Sequence, residues 1–187
     1  MNKARLFLLV IGTVTCAAAS AATFDLDPSK TQIGFTVHDP LHTVHGTFNL
    51  KRGKMQLEPG TGKASGEMVI DIPSGISGNG SRDKRMHKEI LESQKYPEAV
   101  FTPDHVRGSI AAEGTSEIDV HGSFRIHGAD HEITIHFQVQ ANGSQYVATG
   151  QFVIPYVQWG MKNPSNFLLK VDDKVEIDLR AEAAEKH

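Results

Sequence analysis

Cysteine is almost absent from the 187-residue chain, which contains only Cys16. A single cysteine cannot form a disulfide within the chain, and it cannot supply the set of thiolates that most structural zinc sites use. The stability of the fold must therefore come from a buried core, which a domain of this length is large enough to form.

Long hydrophobic runs are also missing. The longest, Leu6–Val14, is too short to span a bilayer as a helix. The basic residues Lys3 and Arg5 precede this run, and the small residues of Cys16–Ala22 follow it. A basic start, an apolar stretch and small residues, in that order, are typical of a secretory signal peptide. We therefore predict that residues 1–22 are a signal peptide.

Negative charge exceeds positive charge once the signal peptide is removed. The loss of Lys3 and Arg5 changes the formal net charge from −3 to about −5. This sign argues against nucleic acid as a partner and against electrostatic adhesion to anionic lipid. Removing 22 of the 187 residues leaves 165, without a linker or a second long apolar run. We predict one domain, residues 23–187, in the bacterial periplasm and without stable membrane insertion.

Alternation of apolar and polar residues dominates the mature chain. In Lys63–Ile72, for example, Met68 and Ile70 share one face while Glu67 and Asp71 lie on the other. Period-two segments of this kind predict β-strands at residues 23–27, 31–38, 43–57, 63–72, 99–106, 116–126, 132–140, 146–154 and 174–183. Because so many long strands would otherwise leave sheet edges open to aggregation, we predict that the sheet closes into an antiparallel barrel.

Asn79–Ser93 is the exception, because its apolar residues recur at helical spacing. We predict a short α-helix at about residues 81–92 that plugs one end of the barrel. In this prediction Ser81 caps the helix, and Asp83 lies in the first turn, where a negative charge suits the helix dipole. Met86 and Ile90 form its apolar stripe.

Glycines Gly46, Gly66 and Gly122 recur on the apolar faces of their strands. They either let the barrel turn its corners or, by lacking side chains, hollow out its interior, and the two interpretations are compatible.

The order of several short motifs resembles that of the YceI-like family across Phe24 to Glu182. These motifs are Phe35–His38 with Val44–Phe48, Asn79 with Arg82-Asp83, Tyr96-Pro97 with Phe101, Phe124–Gly128, Trp159-Gly160 and Val175–Leu179. The resemblance implies an all-β fold, an extended eight-stranded antiparallel lipocalin-like barrel with one short helix. It also implies an elongated apolar cavity that holds an isoprenoid tail.

Given the resemblance, a set of ten apolar residues is expected to line this cavity, although alternating apolar residues also fill solid cores. The ten are Ile33, Phe35, Phe48, Met68, Met86, Ile90, Phe101, Phe124, Phe137 and Trp159. Trp159 could instead anchor the end of the barrel. Arg82 could grip the oxyanion of a ligand head group through two parallel hydrogen bonds, or it could pair with Asp83 to pin the helix to the barrel.

Histidine is common, with ten residues, and this abundance suggests an alternative function. His38, His42 and His45 lie close together in sequence, and His127 and His131 flank a turn. Imidazole clusters bind zinc, copper or haem, so a His-rich periplasmic metal-binding or haem-binding protein is the second hypothesis.

Catalytic motifs are missing: there is no nucleophile elbow, no HExxH zinc motif and no glycine-rich phosphate loop. We predict a non-enzymatic binding or carrier protein, without a cofactor, for an amphiphilic lipid with an isoprenoid-like tail of the polyprenyl or quinone type. A homodimer over the mouth of the barrel is an open alternative, and an enzyme acting on lipid or a stress metabolite is a third hypothesis.

Overall fold

The computed structural model describes residues 21–40, 42–167 and 170–186. Residues 1–20 of the predicted signal peptide lie outside the described residues, and Ala22 is the first residue of the first strand. The nine strands are β1 (Ala22–Leu26), β2 (Gln32–His38), β3 (Thr43–Leu57), β4 (Ala64–Ile76), β5 (Glu98–Gly108), β6 (Glu113–Ile126), β7 (Ala129–Asn142), β8 (Gln145–Ile154) and β9 (Val175–Lys186).

All strand pairs are antiparallel, and the sheet closes on itself because β3 pairs with β4. The nine strands occupy eight positions, since β1 and β2 both lie between β3 and β9. The break between them falls at Pro28, which cannot donate a ladder hydrogen bond, and Asp27 accepts a turn-type hydrogen bond from the Ser29 amide at 2.9 Å. The predicted eight-stranded antiparallel barrel is confirmed.

The core is formed by the inward side of the alternating strands. In β7, Ile135, Phe137 and Val139 are buried, while His136 and Gln138 between them face outward. The same period places buried apolar residues on β2, β4, β5, β6, β8 and β9, where they join in one cluster. Each fully buried aliphatic or aromatic side chain contributes about 1.5–3 kcal/mol of transfer free energy.

β4 is longer than predicted: the predicted strand ends at Ile72, whereas β4 continues past Pro73 to Ile76. The pairing of β3 with β4 shifts register between Thr47 and Asn49, and the Asn49 amide there donates to the Ser74 hydroxyl at 2.8 Å. A proline is tolerated at such an irregularity, because the regular ladder is interrupted there and the Asn49 amide finds its acceptor in the Ser74 hydroxyl.

The helical segment begins with α1 (Gly80–Arg85) and continues as a π-helical turn over Met86–Ile90. The predicted cap was wrong: Asn79, not Ser81, caps α1, and its Oδ1 accepts from the amides of Ser81 and Arg82, both at 3.1 Å. Ser81 lies inside the first turn of the helix, where its amide has no carbonyl partner within the helix. This amide is therefore one of the donors that the Asn79 cap satisfies. Within the described residues, no helix has the length and apolar character that crossing a bilayer requires.

The helical segment lies at one end of the barrel, which we call the mouth. β2, β4, β6 and β8 end there, and the connection between β8 and β9 begins there at Pro155. His87 ties the helical segment to the barrel, because its Nε2 lies 2.8 Å from the Gly75 carbonyl and its Nδ1 lies 2.7 Å from the Ser93 hydroxyl.

Candidate functional site: a cavity beneath the helix

A cavity of about 710 Å³ lies inside the barrel between the helical segment and the middle of the strands. Eight of the ten predicted residues line it: Ile33, Phe35, Phe48, Met68, Met86, Ile90, Phe101 and Phe124. The volume falls within the range of about 300–1,000 Å³ that small-molecule sites in proteins occupy. The interior of the barrel is therefore large enough at this end to hold a ligand.

The helical segment forms the roof of the cavity. Met86, Ile90 and Leu91 line the cavity and are only half-buried. The i, i+4 spacing of Met86 and Ile90 brings them to the side of the segment that faces the barrel. Because the Met86 side chain is unbranched and polarizable, it can adapt to ligands of different shape.

One wall of the cavity contains the rings of Phe35 and Phe48, whose centroids are 5.3 Å apart. Each ring rests against a glycine. A Cβ added at Gly46 would lie 2.2 Å from the Phe35 ring, and one added at Gly75 would lie 2.3 Å from the Phe48 ring. Gly46 thus makes room for an aromatic ring and does not itself enlarge the cavity.

The other two glycines singled out from the sequence, Gly66 and Gly122, are sites of close backbone approach. An added Cβ would lie 2.1 Å from the Lys54 carbonyl oxygen at Gly66 and 2.3 Å from the Thr102 carbonyl oxygen at Gly122. These contacts favour the interpretation that both glycines let strands bend toward each other.

Polar side chains line the cavity mainly near its mouth. They come from the end of β2, the loop that follows it, the link between β4 and α1, and the helical segment. They are His38, Asp39, His42, Ser77, Ser81, Arg82 and Arg85. The residues deeper in the cavity are apolar, as in Met68, Ile135 and Leu179. This division suits a ligand with a polar head and an apolar tail.

Tyr156 is a further polar residue of the lining, but its hydroxyl already makes a hydrogen bond within the protein. It donates to the Asp172 carbonyl at 2.6 Å. Burial raises the pKa of Tyr156 to about 12, so the phenol stays protonated and the hydrogen bond persists at neutral pH.

Arg82 and Asp83 both bind Ser77. The Arg82 Nε donates to the Ser77 hydroxyl at 2.7 Å, and one terminal nitrogen donates to the Ser77 carbonyl at 2.7 Å. The Asp83 carboxylate accepts from the Ser77 amide at 2.8 Å and from its hydroxyl. These contacts pin the start of the helical segment to the end of β4. Arg82 itself remains exposed at the mouth.

The floor of the cavity is a layer formed by Met68, Phe101, Ile135 and Leu179, which also line a second cavity of about 140 Å³ toward the opposite end. Phe137 lines this lower cavity. Nine of the ten predicted apolar residues are thus distributed over two chambers that share one layer of side chains.

Trp159 lies outside both linings and packs at the mouth end. Its ring stacks on His131, with centroids 4.0 Å apart and planes 5° from parallel, and it contacts Phe124 at 6.2 Å. Burial lowers the pKa of His131, and its Nε2 has no hydrogen-bond partner within the ranges that the structure describes. This stacking fits the interpretation that Trp159 anchors the barrel end.

Sequence reasoning missed two groups of lining residues. Ile70 and Ile72 share a face of β4 with the predicted Met68, and Ile177 and Leu179 lie on the buried face of β9, so the alternation could have identified all four. The second group comes from the irregular connection between β8 and β9 and consists of Tyr156, Met161, Pro164 and Val171. No periodicity marks residues in such a connection.

The histidines singled out from the sequence bind separate neighbours. The Nδ1 atoms of His38 and His45 lie 3.1 Å from the Thr43 hydroxyl and 3.0 Å from the Thr36 hydroxyl. Across residues 21–40, 42–167 and 170–186, neither of the two predicted histidine sets forms a group of three potential metal ligands.

In a comparison with protein families, the family model described as the YceI-like domain matches residues 24–183. None of the curated proteins compared with the chain matches it significantly.

Solved structures share the fold at low sequence identity. A polyisoprenoid binding domain from Saccharophagus degradans, implicated in plant cell wall breakdown, has a TM-score of 0.71 and 17% identity, over 87% of this chain and 98% of that domain. BcnA from Burkholderia cenocepacia has a TM-score of 0.69 and 19% identity, over 84% of this chain and 99% of BcnA. The YCEI protein of Campylobacter jejuni has a TM-score of 0.56 and 16% identity, over 98% of this chain and 91% of that protein.

Proposed function

The chain belongs to the YceI-like family, and from that premise we propose that it binds an amphiphilic lipid with an isoprenoid-like tail, of the polyprenyl or quinone type, without transforming it. The observation that carries this proposal is the cavity of about 710 Å³, which is apolar in its depth and polar at its mouth. A polar head at the mouth and a tail below the helical segment would match both regions.

The size of the cavity supports a tail of substantial length. At about 30 Å³ for each water-sized group, the cavity accommodates roughly twenty such groups. Transfer of about twenty tail carbons from water would contribute on the order of 16 kcal/mol, at about 0.8 kcal/mol per methylene. A large part of this is offset by the loss of freedom on binding, and the remainder suffices for affinity without hydrogen bonds to the tail.

The head group would lie among the polar residues of the mouth. Arg82 and Arg85 provide positive charge there, and a guanidinium binds a diphosphate or a carbonyl oxygen through directed hydrogen bonds. The similar fold of the Saccharophagus degradans domain, which is described as polyisoprenoid binding, supports the same class of ligand.

We further propose that the protein acts in the bacterial periplasm as a carrier. The basic, apolar and small-residue order of residues 1–22 supports export, and an apolar cavity inside the barrel supports transport of a lipid through water. Cell fractionation tests the location. Sedimentation of the protein with and without lipid distinguishes a monomer from a homodimer that covers the mouth.

The decisive experiment is the identification of the native lipid. The protein is purified from periplasm, extracted with organic solvent and analysed by mass spectrometry, and the emptied protein is then titrated with a fluorescent prenyl probe. We expect one co-purified lipid with an isoprenoid-type tail and saturable uptake of the probe. The absence of any lipid, together with no saturable uptake, would refute the proposal.

A further inference from the structure

The outer wall of the barrel carries a group of three side chains that the lipid cavity does not use. Asp104 on β5, His121 on β6 and Glu132 on β7 each offer one ligand atom, and these three atoms lie within 4.8 Å of one another. His121 is the centre of the group: its Nδ1 lies 2.8 Å from the Asp104 carboxylate, and its Nε2 lies 3.6 Å from the Glu132 carboxylate.

A β-bulge places Asp104 in this group. The pairing of β5 with β6 joins Pro103 to Gly122 and then His105 to His121, so that Asp104 is the extra residue between them. Pro103 is buried, whereas Asp104 and His105 are both exposed. Bulges occur often where a strand redirects a side chain for a function, and here the bulge turns a carboxylate toward an imidazole.

The chemistry of the group suits a transition-metal ion. One imidazole and two carboxylates are borderline and hard ligands, which Zn²⁺ accepts, and catalytic-type zinc sites combine three protein ligands with water. The two carboxylates face different nitrogens of the His121 ring, so the one on the far side must turn to reach an ion bound to the other nitrogen. Both Asp104 and Glu132 are exposed, which leaves their side chains room to turn. The two negative charges would also balance a divalent cation.

We propose that Asp104, His121 and Glu132 bind one Zn²⁺ ion on the outer wall of the barrel. This site is independent of the lipid cavity, because the lining residues on the same strands, Phe101 and Phe124, are buried and face inward. A protein that failed to bind zinc could therefore still bind lipid as proposed. A protein that failed to bind lipid could likewise still bind zinc.

The chain offers a matched control on the same outer wall. The Nδ1 of His136 lies 2.9 Å from the Asp119 carboxylate, and its Nε2 lies 3.9 Å from the Glu117 carboxylate. In the part of the chain that the structure describes, this second group does not bring its three ligand atoms together as the first does. His136 thus has the same kind of partners without the converging geometry.

The test is isothermal titration of the mature protein, free of any affinity tag, with zinc chloride. We expect one saturable site per chain, and we expect His121→Ala to weaken it at least about tenfold while His136→Ala leaves it unchanged. Asp104→Asn and Glu132→Gln, which keep the shape of the side chains, should each weaken it as well. Circular dichroism checks that every variant is folded.

Three results would overturn the proposal. They are no saturable zinc binding by the wild type, unchanged affinity and stoichiometry in folded His121→Ala, and equal losses in His121→Ala and His136→Ala. Histidine NMR signals add an independent measurement, since zinc should shift the imidazole signals of His121 and leave those of His136 in place.

Discussion

The ring of Phe35 fills the space that a side chain at Gly46 would occupy. The two residues face each other across β2 and β3, and a Cβ on Gly46 would lie 2.2 Å from the Phe35 ring and 2.4 Å from the Ile76 carbonyl oxygen. One neighbour is a side chain that could move, but the other is backbone. The glycine therefore fixes the position of a ring that lines the cavity.

Gly46→Ala should destabilise the protein. The new methyl group collides with the Ile76 carbonyl whichever way the Phe35 ring turns, and overpacking of this kind costs about 1–3 kcal/mol. The free energy of unfolding in urea measures the effect. Gly80→Ala is the control, because nothing lies within 4 Å of its added Cβ, and it should change stability by less than about 0.5 kcal/mol. Equal unfolding midpoints for Gly46→Ala and the wild type would contradict the prediction.

Met86→Arg should abolish binding of a prenyl probe while the barrel stays folded. Met86 is half-buried in the roof of the cavity, so a guanidinium placed there would have to be buried against the tail without a partner. Probe titration and circular dichroism measure the two effects. Gln94→Arg adds the same charge at an exposed position outside the lining and should bind normally. Unchanged affinity in folded Met86→Arg would show that the helical segment does not contact the ligand.

The fold was predictable because its signals are local. Alternation along each strand, as in Ile135 and Phe137, identifies the face that is buried, and the single helical-period segment identifies the cover of the mouth. The cap of α1 was not predicted correctly, since Asn79 and Ser81 are both good capping residues and only the backbone geometry decides between them.

The candidate site was predictable only on the strands. Phe35 and Phe48 alternate with polar residues, whereas Tyr156 and Met161 reach the cavity from a connection without periodicity. The group of Asp104, His121 and Glu132 depends on a bulge and on the register of three strands. The spacing of these residues along the sequence predicts neither the bulge nor the register. The sequence pattern therefore indicated, as candidate metal ligands, only histidines that are close along the chain.

Arg82→Gln should weaken binding of a prenyl diphosphate by at least about tenfold and leave binding of the matching prenyl alcohol unchanged. A hydrogen bond to a charged group contributes about 1.5–3 kcal/mol, and only the diphosphate has the charge. Because the two probes have the same tail, any effect of the variant on binding of the tail is the same for both and cancels in the comparison. Equal losses for both probes would mean that Arg82 acts only by holding Ser77, with which it makes two hydrogen bonds.

The fluorescence of Trp159, the only tryptophan in the chain, should report the protonation of His131, on which its ring stacks. Burial lowers the pKa of His131 because the charged imidazolium loses hydration, and nearby Asp130 offsets only part of this. The quenching of Trp159 on acidification should therefore have a midpoint below about 6.5, the ordinary value for histidine.

The same protonation should reduce stability in acid. Because the folded state binds this proton less readily than the unfolded state, the contribution of His131 is present above about pH 6.5 and is lost as the pH falls toward the lowered pKa. His131→Phe keeps an aromatic ring against Trp159 and removes the titration, so its free energy of unfolding should fall less between pH 7 and pH 5 than that of the wild type. His136→Phe, on the outer wall, should retain the wild-type fluorescence titration. A midpoint at or above 6.5, or an unchanged titration in His131→Phe, would show that this stacked pair does not control the response of the barrel mouth to acid.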